Sequence, residues 1–228
     1  MLGLPVPCVP IQEVARVLTD PSYAPFLKQS IQDRFGMVVD CEDPRQISAL
    51  AVALERIPAA LVKDSGIKFL GFKDLGPSKE YYPNHGLYVG NKLFLNTQLL
   101  EDEQIFVDKS GRSLNRFEHT LYHEMGHGWD DIHGLPSSLP AWLGLSGWSP
   151  TAQPGLSRIT IIESGVPDKV GEWYFSPQAG FPRFYAKMNP WDDFADCFAF
   201  YVGGLGGFLP ANKTKYLDTA LWQYWVSP

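Results

Sequence analysis

The stretch TLYHEMGHGWDDIH, residues 120 to 133, carries three of the chain's five histidines. His123 and His127 are four apart, so on a helix both imidazoles leave one face with their Cβ atoms about 6 Å apart. One Zn²⁺ ion can bridge that separation. Glu124 turns to the side of this clamp, where its carboxylate reaches an attacking water and serves as general base. Gly126, lacking a side chain, lets another element pack closely on the motif. H-E-x-x-H on a helix is among the more specific short metal motifs. The competing reading is a pair of structural histidines; the apolar neighbours in LYHEMGHGW put the imidazoles inside and favour the metal.

A catalytic tetrahedral site needs a third protein ligand and one open position. His133 lies ten residues after His123, the spacing of H-E-x-x-H-x-x-G-x-x-H, but Asp130 stands where that motif has glycine. An uninterrupted helix carries His133 six residues past His127, onto nearly the opposite side and about 9 Å further along the axis. His133 is therefore the weaker candidate. Asp192 and Asp196 in WDDFADCF are also four apart on a predicted helix: one can ligate a metal while the other holds an imidazole N–H. Asp193 points about 100° away and reads as a solvated or capping residue.

HEMGHGWDD together with YAKMNPWDDFADCF resembles the zinc-peptidase domain of anthrax lethal factor and the related Pro-Pro endopeptidases. In that family H-E-x-G-H precedes an aspartate pair, and a tyrosine stands seven residues before a ligand carboxylate in an E-x-F-A-E-x-F helix. Here Tyr185 lies seven residues before Asp192, and Phe194, Ala195, Asp196 and Phe198 fit the rest. The resemblance, which covers residues 113 to 200, implies one Zn²⁺ held by His123, His127 and Asp192. It implies Glu124 as general base, Tyr185 as the hydroxyl that stabilises the oxyanion, and Asp196 supporting a ligand from behind. Aspartate replaces the family's glutamate at 192 and 196, which shortens each arm by about 1.5 Å and requires the helix to sit closer. The alternative for Tyr185 is a core tyrosine.

These residues need elements to hold them. LNRFEHTLYHEMGHGWDDIHG predicts a helix over about 113–133, with Ser113 as N-cap and Gly134 as stop. NPWDDFADCFAFYVGG predicts a second over about 190–202, Pro190 in its first turn and Gly203 and Gly204 closing it. Upstream, apolar residues recur at helical spacing from Ile11 to about Phe35, and another helix starts near Pro44 and ends before Pro58. IKFLGF reads as a strand, and GLYVGNKLFLN as a hairpin around Gly90-Asn91 whose edge could pair with an extended peptide. Residues 135 to 187 read as a long irregular excursion in which SRITIIES could form a strand. NKTKYLDTALWQYW predicts a last helix. The whole is read as one α+β zincin-like domain over 1–228. Residues 1–60 form a helical N-terminal part, and 61–228 a core whose HExxH helix packs under a small mixed sheet.

Forty-five per cent hydrophobic and 19% charged residues make an ordinary globular composition. The net charge of −6 without a Lys/Arg cluster gives no footprint for nucleic acid or an anionic membrane surface. Cys8, Cys41 and Cys197 are too few and scattered for a disulfide framework. The N-terminus lacks a basic region before its apolar residues, a poor secretory signal, and no apolar run approaches the roughly 20 residues that cross a bilayer. A soluble protein is expected, cytoplasmic or exported by a signal-independent route. Of the remaining residues, His119 reads as an ordinary helix histidine or a supporting one, and Asp130 and Asp131 could orient His127. Trp142, Trp148 and Trp173 could line a cleft, and His85 is a loop residue. Three functions fit: a zinc endopeptidase acting on a protein or peptide, a zinc amidase acting on a cell-wall amide, or a degenerate zincin serving as an assembly partner in a larger particle.

Overall fold

Proline, glycine and asparagine punctuate the chain in the computed structural model, which describes residues 21–76, 85–161 and 171–226. Helix α1 (Ala24–Phe35) ends on Gly36 at φ 72°, and strand β1 (Val38–Asp40) follows. The proposed helical residues 11–20 lie outside the described residues. Asp43 caps α2 (Pro44–Glu55) by accepting the Arg45 amide, and Pro44 occupies the first turn, where no amide hydrogen is needed. A short α3 (Ala59–Lys63) leads to β2 (Phe69–Lys73). Gly90 and Asn91 both take positive φ, 53° and 65°. This is the type I′ geometry that matches strand twist, and it folds β3 (Gly86–Val89) back on β4 (Lys92–Asn96).

The four strands form a mixed sheet in the order β1-β2-β4-β3, with β1, β2 and β4 parallel and β3 the antiparallel edge. The N-terminal part thus contributes a strand as well as helices. Val39, Leu70, Leu93 and Leu95 are buried from this sheet against the helical core. A small hairpin of β5 (Ile105–Val107) and β6 (Ser113–Asn115) then delivers the chain to α4 (Arg116–Ile132), the motif helix. Its N-cap is Asn115 rather than the expected Ser113, which belongs to β6. Asn115 Oδ1 accepts the Glu118 amide at 2.8 Å and Glu118 Oε2 accepts the Asn115 amide at 3.2 Å, a reciprocal pair that fixes where the helix starts.

The excursion after α4 is more ordered than its Gly/Pro/Ser content predicts. It holds α5 (Pro140–Ser146) and a hairpin of β7 (Ser157–Ile161) with β8 (Gly171–Phe175). Proline at the first helical turn and glycine at its end are start and stop signals here rather than breakers. α6 (Pro190–Val202) and α7 (Ala211–Val226) complete an α+β fold with seven helices among the described residues. Among these residues, no helix is long and apolar enough to cross a membrane.

α4 and α6 cross where glycine meets alanine. A Cβ built on Gly126 would stand 3.0 Å from Ala195 Cα and 3.2 Å from Phe198 Cβ, so the absent side chain is what allows the approach. Two residues on, on nearly the opposite face of the helix, a Cβ on Gly128 would enter the carbonyl oxygen of Ser65 and press on Tyr88. Gly128→Ala is expected to cost about 1–3 kcal/mol through overpacking against backbone that cannot swing aside. A urea unfolding midpoint equal to wild type would refute that.

Asp193 corrects the sequence reading. It is fully buried beside Asp192, where it accepts from Lys213 Nζ at 2.6 Å, Ser146 Oγ at 2.9 Å and Trp148 Nε1 at 3.0 Å. Lys213 is equally buried, so this ion pair ties α7 to α6 from within the core. Trp142 and Trp148 are core packing, and Trp173 sits edge-on to Trp191 at 5.5 Å.

Candidate metal centre

Three donor atoms converge between α4 and α6. His123 Nε2 and His127 Nε2 are 3.1 Å apart, and Asp192 Oδ1 lies 3.6 Å from the first and 3.4 Å from the second. Donors about 2.0–2.1 Å from a common ion at tetrahedral angles stand about 3.3–3.4 Å from one another. The observed triangle matches that spacing. No other group of three His, Cys, Asp or Glu residues that could hold a metal occurs among the described residues. The helix register supplies two of the donors, and the cap of α6 supplies the third. Asn189 accepts the Asp192 amide at 2.7 Å and its own amide donates to Asp192 Oδ2 at 2.5 Å, leaving Oδ1 aimed at the imidazoles. The shortened Asp arm reaches because Gly126 and Ala195 bring the helices together.

Asp196 sits one turn behind, fully buried, and accepts from His123 Nδ1 at 2.8 Å. A carboxylate only accepts, so Nδ1 carries a proton, and once the ring is neutral it is the Nε2 lone pair that faces the triangle. Arg183 clamps the same carboxylate with Nε on Oδ2 and Nη2 on Oδ1, both at 2.6 Å. Burial alone would raise Asp196, but the Arg183 charge and the His123 hydrogen bond outweigh it and hold the acid well below the usual carboxylate range. Sequence reasoning missed Arg183. Its signal was a lone guanidinium two residues before Tyr185 in FPRFY.

The charge count also suits a divalent ion. With both imidazoles neutral, the buried carboxylates Glu124, Asp192 and Asp196 face one guanidinium, Arg183, which leaves two negative charges uncompensated. In the metal-free protein protons take part of that role. Burial opposes the charged form of His123, yet hydrogen bonding with Asp192 and Asp196 raises it to about 10, while burial opposes ionisation of Asp192, which its imidazole partners nonetheless lower to about 2. His123 is thus protonated at pH 7 and must lose that proton to ligate. Metal loading is expected to release about one proton per chain, and apparent affinity to rise up to about tenfold per pH unit between 7 and 10. Calorimetry in buffers of different ionisation enthalpy measures this; a buffer-independent heat would contradict it.

Glu124 is buried against the edge strand. A Cβ on Gly86 would stand 2.6 Å from Glu124 Oε1, and the Tyr88 backbone beside it favours the charged carboxylate. Burial raises its pKa, partly countered by the two histidines. Tyr185 packs edge-on to His123, ring centroids 5.6 Å apart, with the Arg183 guanidinium 5.0 Å over its ring. The Asp192 charge, then burial, push its hydroxyl well above 10, so it is a neutral donor. His119 is buried between Phe106 and Phe200, its Nε2 3.6 Å from Asp196 Oδ1.

The other sequence candidates are accounted for structurally. His133 stacks on Trp129 at 4.0 Å, bonds the Trp129 carbonyl through Nδ1 at 2.7 Å and faces Asp64 at 3.2 Å. It finishes the helix on the side away from the triangle. Asp130 accepts from Ser137 and Asp131 from the Tyr88 hydroxyl, so neither orients His127. His85 lies immediately before β3, 3.8 Å from Asp102. Comparison of the chain with protein-family models, with curated proteins and with solved structures returns no match.

Proposed function

We propose that this chain is a zinc-dependent endopeptidase of zincin type, with one Zn²⁺ held by His123, His127 and Asp192. The observation that carries the reading is the 3.1–3.6 Å triangle of their donor atoms, backed by a histidine whose tautomer is fixed from behind. Zinc at such a site lowers the pKa of water to about 7 and polarises a carbonyl.

The chain's own groups supply the rest. Glu124, its carboxylate made more basic by burial, takes a proton from the attacking water and returns it to the leaving amine. Tyr185 donates its phenolic hydrogen to the carbonyl oxygen as negative charge develops there. β3, an antiparallel edge directly over Glu124, offers backbone groups to an extended peptide, which sets its register through main-chain hydrogen bonds. Arg183 and Asp196 hold His123 and the Tyr185 segment in one geometry.

The test is metal analysis of the purified chain followed by digestion of casein and a mixed peptide library, with and without chelator. One zinc per chain and chelator-sensitive cleavage of peptide bonds are expected. Stoichiometric zinc without cleavage of any peptide would overturn the reading in favour of a scaffold or of an amidase with a non-protein substrate.

A further inference from the structure

Arg116 breaks a rule that the rest of the core obeys. Its side chain is 12% exposed, yet its sole polar contact among the described residues is a 3.4 Å approach of Nε to Asp102 Oδ2, and that buried nitrogen completes no hydrogen bond. A guanidinium offers five N–H donors, and one so enclosed normally has acceptors. Around it the chain gathers further donors. His85 Nε2 stands 3.8 Å from the same Asp102 oxygen. Arg183 commits Nε and Nη2 to Asp196 and leaves Nη1 without a described partner. It lies near enough to Arg116 for the two charges to oppose one another. The Phe106 ring sits 5.4 Å under the Arg116 guanidinium and 5.0 Å from His119, itself 6.2 Å from His123. The cluster therefore adjoins the metal centre.

Its direction along the substrate follows from β3. His85 immediately precedes that strand, and Gly86 and Tyr88 contact Glu124. A peptide pairing antiparallel with β3 runs towards Gly86, so its residues beyond the scissile bond arrive at His85 and Arg116. We infer that Arg116, with His85 and the Nη1 of Arg183, forms a carboxylate-binding subsite that selects peptides bearing an anionic group on the C-terminal side of the cleaved bond. This rests on the endopeptidase reading for its direction. An acidic side chain and a free C-terminus offer the same two-oxygen acceptor, which a guanidinium receives with paired donors.

Binding tests the subsite without turnover. The protein is zinc-loaded Glu124→Gln, and the probes are two octapeptide pools labelled with fluorescein at the N-terminus. They differ only in Asp and Glu against Asn and Gln over the last four residues, and each is made as free acid and as amide. Anisotropy should show the acidic pool bound about tenfold tighter if side chains are read, or free acids tighter than amides if the terminus is read. Because the chain carries net charge −6, bulk attraction works against either preference. Arg116→Gln, checked for unchanged zinc content, should abolish the difference and leave neutral-pool binding intact. Equal affinity of all four pools, or a preference that survives Arg116→Gln, overturns the subsite. Cleavage by the wild type reports separately on the peptidase reading, which stands if neutral and acidic peptides are cut alike and falls if none is cut while acids still bind.

Discussion

Glu124→Gln is expected to leave one zinc per chain and to lower peptide hydrolysis by about 10²- to 10⁴-fold, the range that a positioned proton acceptor contributes. The amide keeps the size of the side chain but cannot take a proton from water at neutral pH. His123, His127 and Asp192 are untouched, so metal content separates this outcome from collapse of the site. The variant also removes the negative charge that Asp192 and Asp196 must tolerate nearby, so thermal stability should hold or rise. The informative measurement is single-turnover hydrolysis beside zinc analysis of the same sample. A variant within twofold of wild type would remove Glu124 from the chemistry.

Asp196→Ala should be the more damaging change to the fold. The carboxylate accepts from His123 and twice from Arg183, and its removal leaves a largely buried guanidinium without its partner, a loss of about 3–5 kcal/mol. His123 loses the acceptor that fixes its tautomer, and metal affinity should fall about 10- to 100-fold. The sign of the pH effect follows from the depressed acid. Asp196 contributes stability above the unfolded carboxylate pKa, near 4, and loses it progressively at lower pH. Wild type should therefore lose more stability than Asp196→Ala when metal-free samples are taken from pH 5 to pH 3. Parallel unfolding curves at both pH values would refute the assignment.

The motif helix and the convergence of its two histidines were legible because local rules decide them. Spacing by four puts His123 and His127 on one face whatever surrounds them, and Asp130 in place of glycine already made His133 the weaker candidate. The hairpin at Gly90-Asn91 was legible for the same reason. What the sequence hid was long-range. Strand β1 is three residues long and exists because it pairs with β2. Ser113 and Asn115 are both good caps, and the β5–β6 pairing chooses between them. Asp193 looked solvated because its partner, Lys213, is twenty residues away. Arg183 and Arg116 were invisible because a cation's role depends on which carboxylates tertiary packing brings to it, and no periodicity encodes that.

Asp192 and Asp193 are chemically identical neighbours, buried on different sides of one helix, and a divalent ion would meet either. Lys213 removes the ambiguity. An ammonium carried by α7 permanently reserves Asp193 for the fold, leaving Asp192 as the carboxylate open to an exchangeable cation. The last helix, remote from the motif in sequence, thereby decides which of two adjacent acids the metal can choose.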